Sequence, residues 1–305
     1  MIATIAAHQM LSLRRQRIFL AALATLMAMT TVAGLIGWSS HQTIVRVYDE
    51  AVRMLGSQGK PAPQNPFVLK PTLSLLSNMA IYIPLIGALL ALILGHLSLA
   101  DDESNGVGRL IFSRQVSRRS YFLGKVAAAA AVLGVILTVS FVISSGSLVL
   151  VNRATPSATD FLRLAVFYAV SWLYLMMFAL IGMVTVLLTR RRSLALLAAL
   201  GVWLVLTFAL PQFTSGLRPT ASLNPITDPV STTQTFFKVT ARARPFSVSE
   251  QYKEVSARVL ETGASESTSA TALRVVPIAG LLGVLMLMTA RLIRRHDYSR
   301  SSADE

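Results

Sequence analysis

Apolar residues gather in six long runs, at about 18–38, 75–98, 126–151, 164–188, 194–211 and 275–290, and polar residues gather between them. A bilayer core takes roughly 20 apolar residues per helix, with a usual range of about 17–25. All six runs are near that length, the last of them if its flanking arginines reach toward the interface. No Asp, Glu, Lys or Arg falls inside any of the six windows. One such side chain at mid-membrane costs about 2.5–3.5 kcal/mol, more than several leucines return at about 0.5 each. Core helices of soluble bundles rarely run this far without a charge, so the pattern predicts six transmembrane spans. These are expected to be helices, because a lone strand leaves backbone groups unpaired in lipid. Barrel strands alternate polar and apolar residues, and these runs do not. The expected fold class is therefore an all-α integral membrane protein with six transmembrane helices. Gly34, Gly37, Gly134, Gly146, Gly280 and Gly283 lie in or beside the runs, where small residues permit close helix contact. Pro84 and Pro277 are expected to kink their helices.

The segments between the spans have patterns of their own. Residues 1–17 predict an amphipathic helix on the membrane surface, with Ile2, Ile5, Ala6, Met10 and Leu13 at helical spacing and arginines after them. Beyond the first run, Ile44, Val47, Tyr48, Ala51 and Leu55 share a helical face, so that helix is expected to continue until Gly56, Gly59 and Pro61 end it. Residues 212–274 form the largest piece outside the spans. Thr227-Asp228-Pro229 is a helix-start signal, and Ser247 with Glu250 fits a capping box. Two short helices lying over the membrane surface are expected there. The expected division is thus a surface helix at 1–17, five spans within 18–211, a loop domain at 212–274, a sixth span at 275–290 and a tail at 291–305.

Composition agrees with the patterning. Of 305 residues, 53% are hydrophobic and 14% charged, against about 25% charged in soluble domains. The chain carries 28 basic and 14 acidic residues. In a soluble protein that excess would direct attention to nucleic acid. Here the basic residues cluster at span borders, where anionic headgroups account for them, and nucleic-acid binding is rejected. Placing both termini in the cytoplasm puts 15 basic residues in 64 inside positions and 13 in 111 outside positions. The positive-inside rule favours that orientation. The first run is long and lacks a small-x-small exit, so it is not expected to be a cleaved signal peptide.

The loop between the second and third runs, residues 99–125, is the most informative stretch. Asp101, Asp102 and Glu103 come first, then Gly106 and Gly108, then a predicted short helix. Val107, Leu110 and Ile111 form its apolar face, and Arg109, Arg114, Arg118 and Arg119 its basic one. The plain alternative is a solvated positive-inside loop. A short helix strung between two spans can also act as a lever, because a partner gripping it would pull on both.

This stretch resembles the cytoplasmic loop of ABC-2 type transporter permeases. Asp102 falls on that family's acidic position, Gly106 on its glycine, and Leu110, Ile111 and Phe112 on its apolar run. Ser113, Ser117 and Arg118 fall on the motif after it, and Gly124 and Lys125 on the entry to the next span. Val107 and Gly108 stand where Thr-Leu is common, and Gln115 stands where proline is common. Within the family the likeness is to permeases of multicopper-enzyme maturation. The resemblance implies a membrane subunit of the bacterial inner membrane, working as a homodimer with two copies of a separate ATP-binding subunit that holds ATP and magnesium. It also implies that the loop is a coupling helix, with Asp102, Glu103, Gly106, Val107, Arg109, Leu110, Ile111, Arg114 and Arg118 at the contact with that subunit. A competing expectation is a mechanotransmitter that remodels an extracytoplasmic partner protein through 212–274 and moves no cargo.

Other chemistry finds little support. There is no GxxxxGK[ST] phosphate loop, so no ATP hydrolysis and no cofactor is expected in this chain. Uncharged spans argue against a proton relay, and no nucleophile, base and orienting acid can be assembled, which argues against an intramembrane enzyme. The chain has no cysteine. Met176, Met177, Met183, Met286 and Met288 are soft donors that suit Cu(I), but flexible filling of helix contacts is the expected role. His41 and His96 are expected to be interfacial polar residues, and no metal site is expected. Ser140, Ser144 and Ser147 in the third run are candidates for a polar cargo path, with helix-packing hydrogen bonds as the plainer reading.

Overall fold

A computed structural model describes residues 2–15, 17–61, 63, 72–104, 111, 113, 116–151, 156–189, 191–215, 239–260 and 268–295. These residues are helical throughout, apart from short connections, and form no strand. Helix α1 (Ile2–Arg15) precedes the first span, α2 (Phe19–Ser57). The second to fifth spans are α3 (Met79–Asp102), α4 (Arg118–Leu150), α5 (Ala158–Leu188) and α6 (Arg192–Thr214). Helix α7 (Val248–Val259) lies between α6 and the sixth span, α8 (Leu273–Arg295). The six spans match the six apolar runs, each helix extending past its run into polar residues. The ends carrying Arg17, Asp101, Arg118, Arg192 and Arg291 define a basic end of the bundle.

The bundle is built around α5. Its apolar window is 72% buried, against 56% in α3, 44% in α4 and only 17% in each of α6 and α8. Ser157 starts α5 with a complete capping box: its hydroxyl accepts from the Asp160 N–H, and the Asp160 carboxylate accepts from the Ser157 N–H at 2.9 Å. The tightest contact in the molecule is α3 on α5. A Cβ at Gly95 would lie 1.9 Å from the Ala179 carbonyl oxygen, and one at Gly182 would lie 2.2 Å from the Leu92 carbonyl oxygen. The two backbones therefore touch through reciprocal glycines. Three of the six glycines that the sequence pattern marked for close packing do not serve it: a Cβ at Gly146, Gly280 or Gly283 would meet open space. Gly34 does, with Ser147 Oγ at 2.8 Å from the added carbon.

Two spans contain a π-helical turn, Ile83–Gly87 in α3 and Val205–Ala209 in α6. A proline explains each. Pro84 lies inside the first turn and Pro211 just after the second, and a missing N–H breaks the regular ladder. At 1.5 Å per residue both turns lie roughly 20–29 Å from the basic end.

At that same level α7 is seated. It does not lie over the bundle, as expected from the sequence, but packs into it. Tyr252 is fully buried, stacks on Tyr174 with ring centroids 4.5 Å apart, and shares a 2.8 Å hydrogen bond with Ser171. Ser249 hydrogen-bonds Tyr174 at 3.0 Å and donates to the Leu206 carbonyl at 2.8 Å. Glu254 pairs with Arg258 at 3.0 Å and with Arg274 of α8. The predicted capping box at Ser247 and Glu250 does not form: Glu250 turns to Arg244 at 3.5 Å, and Ser247 Oγ has no partner among the described residues. A guanidinium on the preceding turn offers the carboxylate a stronger attraction than a backbone N–H. The other predicted start, Thr227-Asp228-Pro229, lies outside the described residues.

The seating of Tyr252 makes a graded prediction. Tyr252→Phe should cost only about 0.5–1.5 kcal/mol, because one hydrogen bond is lost while Ser171 still donates to the Phe167 carbonyl. Tyr252→Ala should cost about 3–5 kcal/mol through the cavity it leaves. Thermal unfolding of the purified protein in detergent would rank the two; equal effects would show that α7 is not packed as described.

Candidate functional site

The sequence directs attention to the loop at 99–125, and the structure shows how its two ends are joined. Asp101 and Asp102 close α3, and Tyr121, Gly124 and Lys125 lie in the first turns of α4. Lys125 Nζ and Asp102 Oδ2 are 2.7 Å apart, and the Tyr121 hydroxyl donates to the same oxygen at 2.8 Å. The Lys125 ammonium also donates to the Ser98 carbonyl at 2.6 Å and to Gln9 Oε1 of α1. Lys125 and Asp102 are 2% and 9% exposed at their side chains, so the pair is taken out of water. Such a pair holds only when its remaining donors and acceptors are satisfied, and Tyr121, Ser98 and Gln9 do that here. Lys125 comes one residue before the third apolar run begins; within the fold it is an interior residue.

Two further helices are tied to the ends of the same loop. Asp101 Oδ1 accepts from Arg192 at the start of α6, at 2.6 Å. The Arg118 guanidinium donates to the Arg294 carbonyl near the end of α8. Helix α1 lies directly on α4: a Cβ at Gly124 would be 2.7 Å from the Ile5 side chain. Ile5 and Ala6 are half-buried and Gln9 and Leu13 fully so, while Ile2, Met10 and Leu11 remain exposed. Much of the apolar face that suggested a lipid-facing helix is therefore occupied by α4, because Gly124 lets the two helices approach. Gln9 sits in the middle of that face, and a polar residue there was the available signal of a buried partner.

The predicted contact residues divide accordingly. Asp102, expected on a surface offered to a partner, turns inward and is consumed by Lys125 and Tyr121. Arg118 remains exposed but engages the end of α8. Ile111 is partly buried against the core. Gly106, Val107, Arg109, Leu110 and Arg114 lie outside the described residues, as does the Glu103 side chain. Sequence reasoning missed Gln9, Tyr121, Lys125, Asp101 and Arg192 as one network. Tyr121 and Lys125 are four apart, hence on one helical face, but the partners described come from two other helices, α3 and α1.

Of the intramembrane hydroxyls, those of Ser144 and Ser147 make helix hydrogen bonds, and that of Ser140 is buried with no partner among the described residues. Ser144 and Tyr168 share a 2.7 Å hydrogen bond, and Tyr168 also donates to the Ser140 carbonyl at 3.2 Å. Ser147 donates to the Ile143 carbonyl at 3.0 Å, opposite Gly34. Of the methionines, Met176, Met177 and Met183 are buried within α5, Met286 is partly buried against the core, and Met288 is exposed on α8. Among the described residues no group of three or more His, Asp or Glu side chains is placed to hold a metal ion.

No curated protein matches the chain. The family model described as ABC-2 family transporter protein matches residues 3–295, nearly the whole length. Membrane proteins of this family lack an ATPase of their own and work with a separate ATP-binding subunit. Six spans of apolar helix, an acidic-then-basic loop closed at its ends, and this match together make the chain a member of the ABC-2 family of transporter proteins, a multi-pass membrane protein of permease type.

Proposed function

We propose that this chain is the permease subunit of an ATP-driven transporter, and that the 99–125 loop is the coupling helix through which a separate ATP-binding subunit drives it. The observation that carries this is the closed base of the loop. Because Asp102, Tyr121 and Lys125 lock α3 to α4, a load on the loop moves both spans and α1 together. ATP binding and hydrolysis then act by favouring the membrane conformation that fits the ATPase better. The subunit works as a homodimer with two ATP-binding subunits, with both termini in the cytoplasm of a bacterial inner membrane. The likeness of the loop to permeases of multicopper-enzyme maturation makes an extracytoplasmic metalloprotein the first client to test.

Pull-down of the tagged protein from native membranes in mild detergent tests this. A stoichiometric ATP-binding subunit is expected. Arg114→Glu combined with Arg119→Glu should lower its recovery on the order of tenfold, as opposed charges at an interface become like charges. Arg119 is exposed, so its substitution leaves the Lys125 hub in place. Undiminished recovery would remove the loop from the contact.

A further inference from the structure

We propose that α6 is the rod that carries motion of the loop to α7, with Asp101, Arg192 and Ser249 as the positioning residues at its two ends. This rests on the reading that the loop receives force from an ATP-binding subunit. Helix α6 is poorly embedded, with 17% of its apolar window buried, so packing alone does not fix it. It is instead pinned at two points. At the basic end Arg192 holds Asp101 at 2.6 Å. Asp101 is the neighbour of Asp102, so the last residues of α3 divide their attachments, Asp102 to α4 and Asp101 to α6.

The second point is at the π turn. There Leu210 N–H bonds the Val205 carbonyl, five residues back. In that register the Leu206 carbonyl would require an N–H from residue 211, which is proline and has none. The Ser249 hydroxyl of α7 supplies the missing donor at 2.8 Å. The attachment is therefore specific to the π register, and a shift of the turn back to α-helical spacing would offer Leu206 the Leu210 N–H and release Ser249. π turns inside α-helices are frequent at functional sites. The companion turn at Ile83–Gly87 in α3 lies at the same level, so the two spans joined by Asp101 and Arg192 both change register beside α7.

The chain has no cysteine, so Ser256→Cys, buried on α7, places a single thiol at the far end of the rod. In the detergent-purified complex with its ATP-binding subunit, a water-soluble maleimide should label this chain slowly, and ATP with magnesium should raise the rate on the order of tenfold, as a shifted population exposes α7. Asp101→Asn and, separately, Arg192→Gln should leave the ATP-binding subunit bound and abolish the ATP dependence. Asp101→Arg with Arg192→Asp should restore it, which a merely destabilised protein would not. The inference is overturned if ATP dependence persists in both single variants, or if labelling ignores ATP in a complex that hydrolyses it. Failure of the parent protein to retain any ATP-binding subunit would instead sink the permease reading itself.

Discussion

Gly182→Val should prevent the bundle from assembling. A Cβ at residue 182 would lie 2.2 Å from the Leu92 carbonyl oxygen and 2.8 Å from the His96 nitrogen, and both are backbone atoms of α3 that no rotamer change can move. Ordinary overpacking costs about 1–3 kcal/mol because flexible side chains yield. Here two helix backbones must separate by roughly 1 Å or more along their contact, and the cost should exceed about 4 kcal/mol, the upper range for single substitutions. Gly95→Ala should act the same way, since its Cβ would lie 1.9 Å from the Ala179 carbonyl oxygen. The matched controls are Gly146→Ala, Gly280→Ala and Gly283→Ala, where a methyl group meets nothing. Those should be neutral or stabilise by about 0.5–1 kcal/mol, the usual gain over glycine within a helix. The yield of monodisperse protein in detergent and its unfolding temperature measure all five. Normal yield of Gly182→Val would show that α3 and α5 do not meet as described.

The second large effect should come from the ion pair at the loop base. Lys125→Ala leaves Asp102 charged and buried, and breaking such a pair costs about 3–5 kcal/mol. Asp102→Leu combined with Lys125→Met removes both charges and replaces them with packing volume. That exchange is often neutral or favourable in buried sites, so the double variant should recover most of the stability. What it should not recover is the tether, because Tyr121 loses its acceptor and Gln9 its donor. The expected result is a double variant that unfolds near the parent temperature but couples ATP hydrolysis poorly in the assembled complex. Unfolding temperature and ATPase rate, measured on the same preparations, separate the two roles. If Lys125→Ala were as stable as the parent, the ammonium would have to reach water, and the pair would not lock α3 to α4.

Much of this architecture was legible in the order of residues. Membrane spans are legible because a charge in lipid is costly wherever it sits on the helix, so its absence shows without knowledge of the neighbours. The continuation of α2 to Ser57 was legible for a similar reason: the helical face from Ile44 to Leu55 is local, and Gly59 ends it with a φ of 66°. Glycine roles were not, because a small residue packs closely only if another backbone is opposite. Gly146, Gly280 and Gly283 look like Gly95 and Gly182 in sequence, and only the last two have a neighbour.

The sequence by itself determined the six spans, the loop with its acidic and basic halves, and the likeness to ABC-2 permeases, because each depends on residues near one another along the chain and on their energy in lipid. Tertiary structure alone decided that Asp102 faces Lys125 and Tyr121, that α1 lies on α4 through Gly124, and that α7 enters the bundle behind Tyr252. Each of these brings together groups from distant parts of the chain. A buried carboxylate or hydroxyl must find a partner, but which partner it finds is set by how the helices cross, and that is a property of the packed bundle.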